Sequence, residues 1–210
     1  MSQVMNPVWG SVGDLFLYPD AHAEDDMRMS ADLVAAAFSD RLGRAGRGFG
    51  EWLGSVTPSD REELFTRTFD INPTCSLELG WHLYGEDYKR GSFLVDMRRL
   101  MASLGIEETR ELPDHVVHAL RALERLPAVK AQCFSLGYVQ PALVKMTEGL
   151  DAAPGPWPDV VTGLLEALEA AYGPTPATPA APSAEASGPY AEGRASVGEA
   201  QGAPGGCHAG

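Results

Sequence analysis

Two pairs of side chains have the spacing that metal ligands take on one face of a helix. His82 and Glu86 lie four residues apart, and His115 and His118 lie three residues apart. Each pair could supply two of the four ligands of a zinc site. The chain has no HExxH sequence and no second pair matched to either one. The apolar neighbours of His82 suit a partly buried, hydrogen-bonded histidine instead, and we expect no resident metal or other cofactor.

Nucleophilic and phosphate-binding chemistry both lack their usual sequence context. Ser76, Cys133 and Ser135 could each act as a nucleophile beside a histidine, but none lies in a nucleophile-elbow sequence. The glycines of residues 43–50 (GRAGRGFG) lack the GK[ST] of a phosphate loop and follow a helical pattern rather than a strand. These patterns predict a protein that binds rather than catalyses.

Two segments of the chain are more polar than the core of a helical protein requires. The first is HLYGEDYKRG at residues 82–91, which follows shortly after the sequence FDINP. Glu86 is spaced to pair with Lys89 and Arg90 along a helix, and Asp87 can accept hydrogen bonds at the start of that helix. An ordinary solvated helix junction with weak ion pairs is the alternative interpretation.

The second polar segment, residues 111–115 (ELPDH), precedes an apolar helical pattern. Pro113 restricts the backbone before the helix, and Asp114 is expected to cap free N–H groups at the positive end of the helix dipole. His115 is expected in the first helical turn. The segment is then either a well-formed helix start or a charged, titratable pair that could engage the backbone or basic groups of a partner.

Apolar spacings of three and four residues recur along the chain, and period-two runs of β-branched residues are absent. We therefore predict an all-α fold, a single globular domain of about eight helices. Thr57 followed by Pro58 predicts the start of a helix. Gly105 predicts the end of another helix, and Pro141 predicts a kink. The predicted helices span residues 8–17, 30–53, 58–68, 75–84, 86–104, 111–127, 128–146 and 158–172.

The composition changes after Tyr172, so we predict an all-helical domain over residues 1–172 and a disordered Ala/Gly/Pro-rich tail over residues 173–210. The 210-residue chain has 16 basic and 29 acidic residues, a formal net charge of −13, and the residues before the tail carry −11 of it. This balance disfavours nucleic acid and anionic membranes as partners, and it favours a basic one.

Cysteine is scarce, and no sequence signal places the chain in or across a membrane. The three cysteines form no CxxC pair, and Cys207 beside His208 makes only a weak metal site. No secretory leader or apolar run of transmembrane length is present, so we expect a cytoplasmic protein without direct membrane insertion.

The polar segments occur in one order together with LFLYPD at 15–20, ELF at 63–65 and DINP at 70–73. In this arrangement the chain resembles the molybdoenzyme assembly chaperones of the nitrate reductase delta-subunit (NarJ) type, within the TorD/DmsD redox-enzyme maturation group. The most specific parts are HLYGEDYKRG at 82–91 and ELPDH at 111–115. The resemblance spans residues 8–172, and it departs from the family's pattern at SLELGW before the first segment and at VVHAL after the second.

This resemblance implies an all-helical protein without catalytic turnover. Its partner would be the cofactor-free catalytic subunit of a molybdoenzyme, bound in the cytoplasm through its N-terminal segment, often a twin-arginine leader or its remnant. The family holds that client ready for insertion of the molybdenum–bis(molybdopterin guanine dinucleotide) cofactor. By the same resemblance, six residues are expected to line or support the client surface: Glu86, Asp87, Arg90, Pro113, Asp114 and His115.

Two other functions compete with this interpretation. The chain could bind a small molecule, either a guanine nucleotide or the molybdopterin cofactor itself, although the missing phosphate loop and the acidic balance oppose this. It could also be a permanent subunit of the mature enzyme.

Overall fold

The computed structural model describes residues 8–20, 23–151 and 153–177, and within these ranges every element is helical. The predicted all-α class is therefore confirmed. The α-helices are α1 (Trp9–Asp14), α2 (Glu24–Ala37), α3 (Arg41–Ser55), α4 (Pro58–Phe65), α5 (Leu79–Tyr84), α6 (Lys89–Ser103), α7 (Val116–Arg125), α8 (Ala128–Phe134), α9 (Gln140–Leu150) and α10 (Trp157–Tyr172). None of these helices is both long enough and apolar enough to span a bilayer.

The single helix predicted over residues 30–53 is wrong, because the chain turns back between α2 and α3. Phe38 has an extended backbone, and the Asp40 side chain accepts a hydrogen bond from the Leu42 amide to begin α3. The turn is so tight that a Cβ at Gly43 would lie 1.8 Å from the Phe38 carbonyl oxygen. A glycine that weakens a helix in isolation therefore permits the hairpin here.

The core is organised around Trp157 at the start of α10. Its ring lies 5.0–6.1 Å from the ring centroids of Phe49, Trp52, Phe65 and Phe69, and its Nε1 donates to the Leu15 carbonyl. Edge-to-face aromatic contacts of this kind contribute beyond their buried area. They position the end of α4 and the wider π-helical turn that follows it, Thr66–Asp70.

Local signals predict several helix ends correctly. The Thr57 hydroxyl accepts a hydrogen bond from the Asp60 amide at the start of α4, and Gly105 has the positive φ (63°) expected after α6. Helix α10 begins one residue before the predicted start. Pro141 follows a second π-helical turn, Ser135–Val139, so the predicted kinked helix is divided into α8 and α9. Wider turns accommodate a proline that cannot donate its backbone hydrogen bond.

The helix predicted over residues 75–84 is shorter in the structure, because tertiary contacts hold its first residues in another conformation. A 3₁₀ turn, Pro73–Cys75, is followed by extended backbone, and α5 begins only at Leu79. Gly85 then takes a positive φ (57°) and ends α5, so α6 begins at Lys89 rather than at Glu86.

The first residues of the predicted tail contact the helices. The Thr175 hydroxyl donates to Gln140, and its amide donates to Glu169. The rest of the predicted tail, with Cys207 and His208, lies outside the described residues.

Candidate functional site

A short antiparallel bridge joins the second polar segment to the backbone just before the first. Glu78 and His115 form this bridge, and the Leu79 amide donates a hydrogen bond to the Asp114 carbonyl at 2.9 Å. The backbone that leads into α5 therefore runs beside the backbone that leads into α7. The bridge therefore places the second segment next to α5, the helix in which the first segment begins.

Asp114 caps α5 rather than its own helix. Its buried Oδ2 accepts a hydrogen bond from the Gly80 amide at 3.0 Å and lies 3.9 Å from Arg90 Nε. Burial raises the pKa of the Asp114 carboxyl, while Arg90 and the Gly80 hydrogen bond oppose this rise. The prediction that Asp114 caps the following helix is thus wrong, because the bridge turns its side chain towards α5.

His115 provides the cap that was assigned to Asp114. Its Nδ1 accepts a hydrogen bond from the Val117 amide at 3.2 Å, so in the neutral ring the proton resides on Nε2. Burial, with smaller contributions from His118 and Arg121, lowers the pKa of His115 to about 3. Of the two interpretations of this segment, the structure favours the helix start, because His115 caps α7 and with this pKa is neutral near pH 7.

Arg90 has a different partner from the one that helical spacing predicts. Glu86 precedes the start of α6, so Glu86 and Arg90 do not lie one helical turn apart on the same helix. The Arg90 guanidinium instead lies 5.5 Å from the Trp81 ring centroid and next to Asp114. Asp87 does accept a hydrogen bond from the Lys89 amide at 2.9 Å, as predicted for the start of this helix.

A groove of about 950 Å³ opens beside the bridge. Apolar side chains from several elements form much of its surface: Leu17, Tyr18, Phe65, Phe69, Leu77, Trp81 and Leu112. Carboxylates also line it, among them Asp70, Glu78 and Glu111. Burial raises the pKa of Glu111, and the nearby Glu78 and Asp70 carboxylates raise it further. The groove therefore combines apolar area with more carboxylates than arginines, since Arg90 and Arg110 also line it.

The six predicted site residues take three different positions relative to this groove. Arg90 and His115 line it, whereas Pro113 and Asp114 are buried behind it. Glu86 and Asp87 are exposed on the neighbouring turn and are not among the lining residues.

Sequence reasoning missed Asp70, Glu78, Glu111 and Trp81 as groove residues. Asp70 belongs to the motif DINP and Glu111 to the motif ELPDH, and these two motifs were the only sequence signal that could have marked the two residues. Nothing local marked Glu78, because its place depends on the bridge to His115.

The histidine pairs with metal-ligand spacing are engaged in hydrogen bonds. His82 Nε2 contacts the Ser76 carbonyl at 2.7 Å, and burial lowers the pKa of His82. His118 Nδ1 contacts the Leu112 carbonyl at 2.9 Å, and burial likewise lowers the pKa of His118. In the described part of the chain, no three His, Cys, Asp or Glu side chains are grouped to hold a metal ion.

Comparison with known proteins identifies the family of this chain. The family model described as nitrate reductase delta subunit matches residues 35–158, which include both polar segments and the bridge. The nitrate reductase molybdenum cofactor assembly chaperone NarJ of Escherichia coli (strain K12), and that of Escherichia coli O157:H7, are each 31% identical over 125 residues. That alignment covers 57% of this chain and 52% of each relative, so the chain spans about half the length of the curated relatives it matches. The resemblance found in the sequence is confirmed, and the chain belongs to the nitrate reductase delta subunit family.

Proposed function

We propose that this protein is an assembly chaperone for a nitrate reductase-like molybdoenzyme. It binds the cofactor-free catalytic subunit in the cytoplasm, keeps it competent for insertion of the molybdenum cofactor, and acts without catalytic turnover of its own. Membership of the delta subunit family supports this proposal, as do two relatives named as molybdenum cofactor assembly chaperones.

The observation that carries the proposal is the groove at the junction of the two polar segments. Leu112 is 45% exposed and Tyr18 39% exposed at its surface, although both are large apolar or aromatic side chains. Exposed apolar surface inside a concave site is typical of peptide recognition, where an amphipathic segment buries its apolar face. We place the N-terminal segment of the client here.

The six predicted residues then divide by role. Arg90 and His115 contact the client within the groove, and Pro113 and Asp114 hold the two segments together behind it. Glu86 and Asp87 lie on the turn beside the groove, where they are available to client residues that extend beyond it.

The experiment compares Leu112→Asp with Val129→Asp for binding of the purified apo catalytic subunit. Both positions are exposed, but Val129, at 74% exposure, lies outside the groove. A carboxylate at Leu112 places charge on the apolar surface that the client would cover, so we expect binding about tenfold weaker or worse. Val129→Asp should bind like the wild type. Equal binding by both variants would contradict the proposed site.

The chaperone function itself is tested by the metal content of the client. In a strain that lacks this protein, the catalytic subunit should accumulate with little molybdenum, and supplying the wild-type chain should restore it. Full molybdenum loading without the protein would refute the function, whichever surface binds the client.

A further inference from the structure

A second groove, of about 650 Å³, lies between α3 and α10, and we call it the α3/α10 groove. No described residue lines both this groove and the one beside the bridge. Because a Cβ at Gly48 would meet no atom within 4 Å, this side of α3 leaves room for a peptide chain to lie against it. The lining residues include Arg44, Gly48, Trp52, Pro156 and Glu166.

The α3/α10 groove presents an aromatic ring with unused hydrogen-bond donors beside it. The half-buried Trp52 ring packs against Trp157, with 5.0 Å between the ring centroids. Within the described residues, neither the Trp52 indole N–H nor the Arg44 guanidinium has a hydrogen-bond acceptor. A polyproline II segment has no internal backbone hydrogen bonds, so its carbonyls can accept from such donors, and its prolines dock in aromatic-lined grooves. The groove therefore suits a proline-rich peptide.

Charge in the α3/α10 groove is balanced. Arg41 Nη2 lies 2.9 Å from an Asp159 carboxylate oxygen, and its Nη1 lies 3.4 Å from one of Glu166. Arg44 adds one further positive charge, so two arginines face two carboxylates among the lining residues. An uncharged peptide therefore fits this groove better than a strongly charged one.

The chain contains an uncharged proline-rich segment directly after α10. Pro176, Pro179 and Pro182 recur at every third residue, and residues 176–184 carry no charged side chain. Since a polyproline II helix has three residues per turn, these three prolines would share one of its faces. The segment therefore has the chemistry and the period that suit the α3/α10 groove.

The described end of the chain leads towards this groove. The Thr175 hydroxyl donates to Glu169 Oε1 at 2.7 Å and its amide donates to the same atom at 3.1 Å, so the chain has turned back along α10. Glu166, one helical turn nearer the start of α10, lines the groove. The rise along α10 from Glu169 to Pro156 is about 20 Å, and a polyproline II segment from Thr175 to Pro182 spans about 22 Å. The segment is therefore long enough to follow the groove.

We propose that residues 176–182 bind in the α3/α10 groove as a polyproline II segment. Their proline rings pack against Trp52 and Pro156, and the Trp52 N–H and the Arg44 guanidinium donate to their backbone carbonyls. Because the segment is tethered at Thr175, its effective concentration at the groove is about millimolar, and weak contacts are enough to hold it there. This contact is independent of client binding and of the chaperone function.

The first test follows the Trp52 indole N–H of the full chain by NMR. We expect nuclear Overhauser effects between the ring protons of Pro179 and Pro182 and the Trp52 ring. The double variant Pro179→Ala/Pro182→Ala should lose them and shift the indole N–H signal. Pro189→Ala/Pro204→Ala, which changes two prolines outside the period-three run, should leave the signal unchanged. The same Trp52 signal in the wild type and both variants would overturn the proposal.

The second test adds a peptide of residues 176–186 to the full chain. In the wild type the added peptide must displace the resident segment, so we expect Pro179→Ala/Pro182→Ala to bind it about tenfold more tightly than the wild type. Equal affinity for both proteins would show that the groove accepts proline-rich peptides without holding its own segment. Absence of binding to the double variant would show that the groove accepts none. Either result would refute the proposal.

Two arginine variants, each made in the Pro179→Ala/Pro182→Ala chain, test the donors. Arg44→Ala should weaken binding of the added peptide about threefold or more. Arg47→Ala makes the same change on the same helix at an exposed residue that does not line the groove, and it should bind like the parent chain. Equal binding by the two variants would contradict the proposal. Trp52→Phe, which keeps an aromatic ring and removes the indole N–H, should weaken binding to a similar extent; if it fails to fold, the arginine comparison decides the result.

Discussion

Replacing Gly80 with alanine should disrupt the junction that joins the two polar segments. A Cβ at Gly80 would lie 2.5 Å from Asp114 Oδ2, 3.1 Å from the Phe93 ring and 3.2 Å from Arg90 Cγ. The same glycine donates its amide hydrogen to Asp114 Oδ2. Because Asp114 is buried, its carboxyl cannot move away without losing this hydrogen bond or leaving Arg90.

The expected cost is the balance of three contributions. Overpacking costs about 1–3 kcal/mol and a lost hydrogen bond about 1–2 kcal/mol, while alanine recovers at most about 1 kcal/mol of helix propensity. We therefore expect Gly80→Ala to lower the free energy of unfolding by about 2 kcal/mol. Gly48 is the matched control, since it lies inside α3 and its Cβ would meet no atom within 4 Å. Gly48→Ala should stabilise the protein by about 0.5–1 kcal/mol.

Urea denaturation followed by far-UV circular dichroism measures both variants, and the apo-subunit assay measures the groove. Gly80→Ala should unfold at lower urea and bind the client more weakly, because displacement of Asp114 moves the backbone beside His115. If Gly80→Ala proves as stable as Gly48→Ala, the contact between Gly80 and Asp114 does not hold the junction, and our account of the site is wrong.

Three further predictions concern stability. Glu24→Gln should lower the urea midpoint more than Glu63→Gln, because Glu24 pairs with the buried Arg61 guanidinium whereas the Glu63 pair is exposed; equal midpoints would contradict this. Because the pKa of His115 is lowered from 6.5 in the unfolded chain to about 3 in the folded protein, its contribution to the free energy of unfolding is fully present above pH 6.5 and is lost as the pH falls towards 3. We expect the free energy of unfolding to fall by about 2 kcal/mol between pH 7 and pH 5 from this group alone. In His115→Asn, the free energy of unfolding from urea titrations should therefore fall less between pH 7 and pH 5 than in the wild type. An equal fall in both proteins would refute the lowered pKa of His115. Thr57→Ala should cost about 1 kcal/mol in the same assay by removing the α4 cap, and no loss would show that the cap is dispensable.

Helix type and several helix ends follow from local chemistry, and these were predicted correctly. The Thr57 cap, the Asp87 hydrogen bond and the positive φ of Gly105 each involve groups within a few residues of one another. Such interactions do not depend on the rest of the fold. The all-α class belongs with them, because apolar periodicity is a property of each segment.

Predictions that required knowledge of distant groups were wrong or incomplete. Asp114 has the position of a cap for α7, yet its carboxyl binds the start of α5 because the bridge between Glu78 and His115 turns it there. The spacing of Glu86 and Arg90 suits an ion pair, yet Gly85 delays the start of α6.

Residue order was enough to mark DINP, HLYGEDYKRG and ELPDH as unusual and to point to the family. Only the packed chain reveals that Asp70, Glu78, Glu111 and His115 share one groove, since they come from three separate stretches of sequence. The physical reason is that hydrogen bonds and burial depend on which groups lie within a few ångströms of one another in the folded protein. For residues from separate stretches, the spacing along the chain does not give these distances.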